Sequence, residues 1–204
     1  MTSSVAVPAL VGPRVRLEPL ASGHVAALVE AASEDQSTYA FTVVPQGLDA
    51  MSAYVEELLE EFDSGLIVPF VQVDARTSRV VGMTRFLTLR SRRGHTLPYA
   101  VEIGGTWLAA SAQRTGINHE AKFLLLTHAF DVWNVARVDI KTDNRNQRAK
   151  EAIARIGASF EGVLRHWQPS QVAGEESAYR DTAMYSITEE EWPAVAMKLM
   201  ARDK

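Results

Sequence analysis

The chain has 204 residues, 47% apolar and 23% charged, a balance that fits one globular domain with a single sizeable core. Cysteine is absent, which excludes disulfides, thiolate zinc sites and a cysteine nucleophile, and suits a reducing cytoplasm. A net charge of -4 argues against nucleic acid as a partner, and no apolar run reaches membrane-spanning length.

Taken in order, residues 1–12 (MTSSVAVPALVG) lack the basic start and cleavage site of a secretory signal and read as a loose lead-in. RVRLEPL alternates apolar and polar residues, the period of a first strand. Ser22 or Gly23 then opens a helix through HVAALVEAA. After the loop FTVVPQG, Tyr54, Leu58, Leu59 and Phe62 recur at helical spacing, placing a helix over about Asp49 to Asp63. IVPFVQVD and VVGMTRFLTL follow as two strands of a hairpin. YAVEIGGTWL reads as a strand with Gly104 and Gly105 inside it, the mark of a bulge or of another backbone coming close. A long helix then runs to about Trp133, ARVDIKT is a short strand, and a helix over Asn146 to Ile156 stops at Gly157 as its C-cap. ASFEGVLRHW and YRDTAMYSI are two more strands. Thr188-Glu-Glu-Glu191 resembles a capping box opening a final helix over residues 188–204. Strand and helix alternate from Tyr99 onward, so at least one parallel pair is expected in a mixed sheet.

The segment QRTGINHEAK, Gln113 to Lys122, sets a polar glycine turn directly before an apolar helix. The first N–H groups of that helix lack intrahelical partners and point back at the turn. Free amides and the macrodipole together favour an anion there, and Arg114 adds a charge-assisted contact. The alternative is purely local: Asn118 caps the helix and Gly116 permits the turn. The turn is not a P-loop, since Gly-Lys-Ser/Thr is missing, and it is not GxGxxG.

A glycine-bulged strand, then Gln113-x-x-Gly116-x-Asn118, then a buried helix resembles motif A of the GNAT acetyltransferases. GTWLAASAQRTGINHEAKFLLLTHAF, RVDIKTDNRNQRAKEAIARIGASFEGVLR and YRDTAMYSI together resemble the ribosomal-protein N-terminal (alanine/serine) acetyltransferase branch, over Pro13 to about Ile187. The resemblance implies an α/β (α+β) fold over residues 13–187. Its centre would be a mixed, mostly antiparallel twisted sheet of about seven strands, with a splayed parallel pair and helices on both faces. It also implies acetyl-CoA as co-substrate, no metal, and a primary amine as acceptor: a protein or peptide N-terminus, or a small molecule. A homodimer is compatible with the family, and no membrane partner is expected.

Carried over by position, the backbone at Trp107, Leu108 and Ala109 meets the pantetheine arm, and Gln113, Arg114, Thr115, Gly116, Ile117 and Asn118 meet the pyrophosphate. Asn146 matches the family's asparagine near the thiol arm, and it also reads as a helix cap. An α-amine has about a tenth of its population uncharged at neutral pH, against less than about a thousandth for lysine, so it asks little of a base. Glu102 is the candidate, acting through water; otherwise it is a strand acid paired with an arginine. The positions where the family places a hydroxyl to protonate the thiolate hold Ala149 and Ile153, which leaves water, Tyr179 or Tyr185 for that task, or no acid at all. Those departures, with Asn118 in place of a small residue, keep open a protein that binds coenzyme A without efficient transfer. His128 falls on the apolar helix face and reads as a core histidine, and His24, His95 and His119 have no partner at metal-ligand spacing.

Overall fold

A computed structural model describes residues 5–201; the rest of the expected lead-in and of the last helix lies outside them. Among these residues the sheet has eight strands: β1 (Leu10–Val11), β2 (Val15–Pro19), β3 (Val68–Asp74), β4 (Val80–Arg90), β5 (Ala100–Leu108), β6 (Arg137–Asp143), β7 (Ser159–Pro169) and β8 (Tyr179–Thr188). Their spatial order is β1-β2-β3-β4-β5-β6-β8-β7. Every adjacent pair is antiparallel except β5 with β6. The strand beyond the expected seven is β1. It belongs to the lead-in, whose described residues are tied down rather than loose, because Val7 is buried and Leu10–Val11 pair with Leu17 and Arg16.

Two apolar layers cover the two faces. Helices α1 (Val25–Ala32) and α2 (Leu48–Asp63) bury Leu28, Met51, Val55 and Leu58 against Val71, Met83 and Trp107. On the other face α3 (Ile117–Thr127), α4 (Gln147–Ile156) and α5 (Trp192–Ala201) bury Leu125, Ile153 and Leu199 against Phe70, Phe86, Val101 and Val138. Each such side chain contributes about 1.5–3 kcal/mol by leaving water. Period two therefore sorts β5 by face: Val101 and Ile103 join the α3 layer, while Glu102 and Gly104 face the α1–α2 side.

Local signals ended several elements where the sequence suggested. Gly157 caps α4 at φ 103°, and Asn146 accepts the Ala149 N–H at 3.0 Å as its N-cap. The long helix is shorter than expected: α3 gives way at His128 to a π-turn (His128–Val132), in which Trp133 N–H donates to the His128 carbonyl. That turn seats His128 4.9 Å from the Trp133 ring centre and Trp133 4.6 Å from Phe86. α5 starts at Trp192, after Glu191 accepts the Thr188 N–H at 2.9 Å.

The feature that makes a site is the parting of β5 and β6. Their register covers Ala100 with Arg137, Val101 with Val138 and Glu102 with Asp139. Beyond Glu102, β5 runs to Leu108 and β6 to Asp143 without pairing with each other. β5 also shifts register against β4 between Met83 and Arg85, where Gly105 stands at φ 57° and a Cβ would lie 2.6 Å from the Arg85 side chain. The bulge turns β5 away from β6, and backbone groups that would have formed a ladder face a gap.

Candidate active-site cleft

The gap opens into a cleft of about 780 Å³. β5 and β6 form its walls, and the starts of α3 and α4 close its outer end, directly after the carboxyl ends of the two parallel strands. Helix starts carry unsatisfied N–H groups and partial positive charge, so this end favours an anion. From the α1–α2 side the cleft is lined by Thr38, Tyr39, Phe41 and Tyr54.

At the helix end, Gly116 rather than Asn118 is the N-cap of α3, in the left-handed conformation at φ 93°, and no side chain caps it. Arg114 also has a positive φ, 62°, an uncommon conformation for a side-chain-bearing residue. The turn is fixed from both sides. Gln113 Nε2 donates to the Leu108 carbonyl at 3.0 Å, and the Thr115 hydroxyl donates to the Ala112 carbonyl at 2.6 Å. Arg148 of α4 bridges to Gln113 Oε1 at 3.1 Å and to the Thr38 carbonyl at 2.9 Å, adding a second guanidinium to that of Arg114. A Cβ on Gly116 would come within 3.2 Å of the Arg14 side chain. Asn118 lines the cleft with its Oδ1 buried and unpartnered, and Trp107 Nε1 is likewise buried without a partner. Buried polar atoms left so are uncommon and point to a missing partner.

On the α1–α2 side, Glu102 pairs with Lys141 of β6 at 2.9 Å, and the Thr88 hydroxyl lies 3.4 Å from the same carboxylate oxygen. The strand acid therefore does have a basic partner, a lysine where the sequence reading allowed an arginine. Thr88 holds φ at 49°, a conformation that costs a β-branched residue on the order of 1–3 kcal/mol. Tyr54 accepts from Arg85 Nη1 at 3.2 Å, and Tyr39 meets Trp107 edge-on with ring centres 5.9 Å apart. Burial, chiefly, raises the Tyr39 hydroxyl above the usual tyrosine value, with Glu34 adding to it.

Lys122 lines the cleft from the α3 face. It is 5% exposed and donates to Thr106 Oγ1 at 2.6 Å and Thr84 Oγ1 at 3.2 Å. With only hydroxyls to hold it, burial lowers its amine to about 7. His128 is the core histidine that its position suggested, its basicity lowered by burial. Among the described residues no cluster of three or more His, Asp or Glu could hold a metal ion.

The structure brings Glu102, Trp107, Leu108, Gln113, Arg114, Gly116, Asn118 and Asn146 to this one cleft. It does not bring Ala109, whose N–H donates to the Val81 carbonyl and whose side chain is fully buried. Nor does it bring the side chains of Thr115, which turns back on Ala112, or Ile117, which enters the core. Tyr179 is exposed and stacks on His166 at 6.0 Å, away from the cleft, and Tyr185 packs against Phe160. Neither tyrosine lines the cleft, although Arg180 of β8 does. Ala149 and Ile153 do line the cleft, as apolar groups. Sequence reasoning missed Lys141, Lys122, Tyr39 and Arg148. The available signal was period two, which puts Lys141 on the same face as Asp139 and opposite Ile140.

The acetyltransferase (GNAT) domain family matches residues 14–159. No curated protein sequence matches the chain. Among solved structures, a protein assigned as an acetyltransferase from T. thermophilus is 32% identical with a TM-score of 0.82, over 97% of this chain and 98% of that one. A GCN5-related N-acetyltransferase from Brucella melitensis is 27% identical with a TM-score of 0.82, over 97% and 86%. Mycobacterium smegmatis RimJ, solved with CoA-disulfide, is 24% identical with a TM-score of 0.76 over 93% and 89%, a likeness of fold. A bulged strand parting from its parallel neighbour, with a left-handed glycine turn at the mouth, is thus the local geometry of a chain that belongs to the GNAT acetyltransferase family.

Proposed function

We propose that the protein is an acetyl-CoA-dependent N-acetyltransferase whose acceptor is a primary amine on a protein or peptide N-terminus or on a small molecule. The observation that carries this reading is the gap between β5 and β6, with the Gly116 turn and two arginines at its outer end. A diphosphate fits the amides of the turn beside Arg114 and Arg148. The extended arm fits the gap beyond Glu102, where β5 no longer pairs with β6 and leaves an edge for an added strand. Bound acetyl-CoA supplies the activated acetyl group. Glu102, at the inner end, takes a proton from the incoming amine directly or through water. The absence of cysteine from the chain agrees with work in a reducing cytoplasm.

A second reading is a protein that binds coenzyme A and transfers poorly. It is favoured by Ala149 and Ile153, which offer the leaving thiolate no proton, and by the engagement of Glu102 with Lys141. Mixing protein, acetyl-CoA and a panel of amino-terminal peptides and small amines, and following free thiol, separates the two. Amine-dependent thiol release is expected. Thermal stabilisation by acetyl-CoA with no thiol from any acceptor would favour the second reading, and absence of stabilisation would remove both.

A further inference from the structure

The gap between the two diverging strands is strapped by one ion pair. Lys141 Nζ on β6 lies 2.9 Å from Glu102 Oε2 on β5. Glu102 and Asp139 are the last register partners of the parallel pair. Lys141 stands two residues beyond Asp139 on the same face, so its side chain reaches back over the point where the strands part. The side chains of Lys141 and Glu102 are 19% and 8% exposed, and both line the cleft. The Trp167 ring, 6.0 Å from Nζ, covers the amine from β7. An amine held against the carboxylate at the head of the gap stands where an acceptor amine must stand if Glu102 is the base.

We propose that Lys141 is itself an acetyl acceptor, modified by its own chain when acetyl-CoA is bound and no other amine competes. The inference rests on the transferase reading above. Glu102 takes one proton from the Lys141 ammonium and releases it to solvent. The free electron pair on Nζ attacks the thioester carbonyl, the C–N bond forms, and the C–S bond breaks with its electron pair leaving on sulfur. The second nitrogen proton passes through water to that sulfur, giving Nε-acetyl-Lys141 and the free thiol of coenzyme A. Loss of the lysine charge does not strand the carboxylate, because Arg180, buried and lining the same cleft, also acts on Glu102 electrostatically. Lys122 shares the cleft but lies on the α3 face between Thr84 and Thr106, so it serves as an internal control.

The test incubates the purified full chain with acetyl-CoA and no amine, measures thermal stabilisation by acetyl-CoA, and maps acetylated lysines by mass spectrometry. One acetyl group at Lys141, absent from guanidinium-unfolded protein and from K141R, is the expected result. E102Q, which keeps the fold's shape at that position, should slow the mark on the order of a hundredfold. Stabilisation without a mark at Lys141 overturns the inference and leaves the transferase reading standing. So does a mark at Lys122, or one equally strong in unfolded protein. Absence of both stabilisation and mark overturns the two together.

Discussion

The Lys122 amine lies 2.6 Å from the Thr106 hydroxyl, deep between α3 and the bulged strand, and pairs with no carboxylate among the described residues. Its value is lowered from 10.5 unfolded to about 7 folded, so between those values the unfolded chain binds more protons. Stability from this group therefore rises as pH climbs from about 7 toward 10.5, and the cost of burying its charge is fully present below about 7. That cost is about 5 kcal/mol at most. Lys122→Met should stabilise the protein near pH 6, with the gain shrinking toward pH 9.5. Urea midpoints at about those two pH values check it, and an equal gain at both would remove the titration as the cause.

Glu120 of α3 accepts the main-chain N–H groups of Arg14 and Val15, both at 2.7 Å, holding the β1–β2 turn to the helix. Gly12 allows the approach, since a Cβ there would stand 2.6 Å from the carboxylate. Glu120→Ala leaves two donors unsatisfied and should cost about 2–5 kcal/mol, read as a lower denaturant midpoint with an unchanged slope. A loss below about 0.5 kcal/mol would mean that water replaces the carboxylate.

Gly116→Asp places a carboxylate where the proposed diphosphate sits and forces an L side chain to φ 93°. Affinity for coenzyme A should fall at least about tenfold, by calorimetry, in a chain that still unfolds cooperatively. Unchanged affinity would refute the assignment of the turn.

Glu102→Gln should lower turnover on the order of a hundredfold while sparing acetyl-CoA affinity, because the residue lies at the inner end of the gap. The measurement is the pH–rate profile. A wild-type profile in the variant would remove Glu102 as the base.

Where the information was local, the sequence was readable. The alternation of RVRLEPL, the helical spacing of Tyr54, Leu58 and Phe62, and Gly157 as a C-cap all became the expected elements. The bulge at Gly105 was readable because glycine inside a strand has few other uses. Local reasoning failed where two explanations fitted one residue. Asn118 looked like a cap, yet the cap falls earlier, on Gly116, since glycine enters the left-handed region at little cost. Tyr179 was named for its hydroxyl alone, but its side chain is exposed and stacks on His166 outside the cleft.

By itself, then, the order of apolar and polar residues determined the elements, the mixed sheet and the glycine turn, because period and backbone permissiveness act within a few residues. The tertiary structure alone decided that Lys141 would meet Glu102, that Lys122 would be buried among hydroxyls, and at which residues the parallel pair would part. Those contacts join segments far apart in the chain. They depend on register and on which strand lies beside which, and no local pattern specifies either.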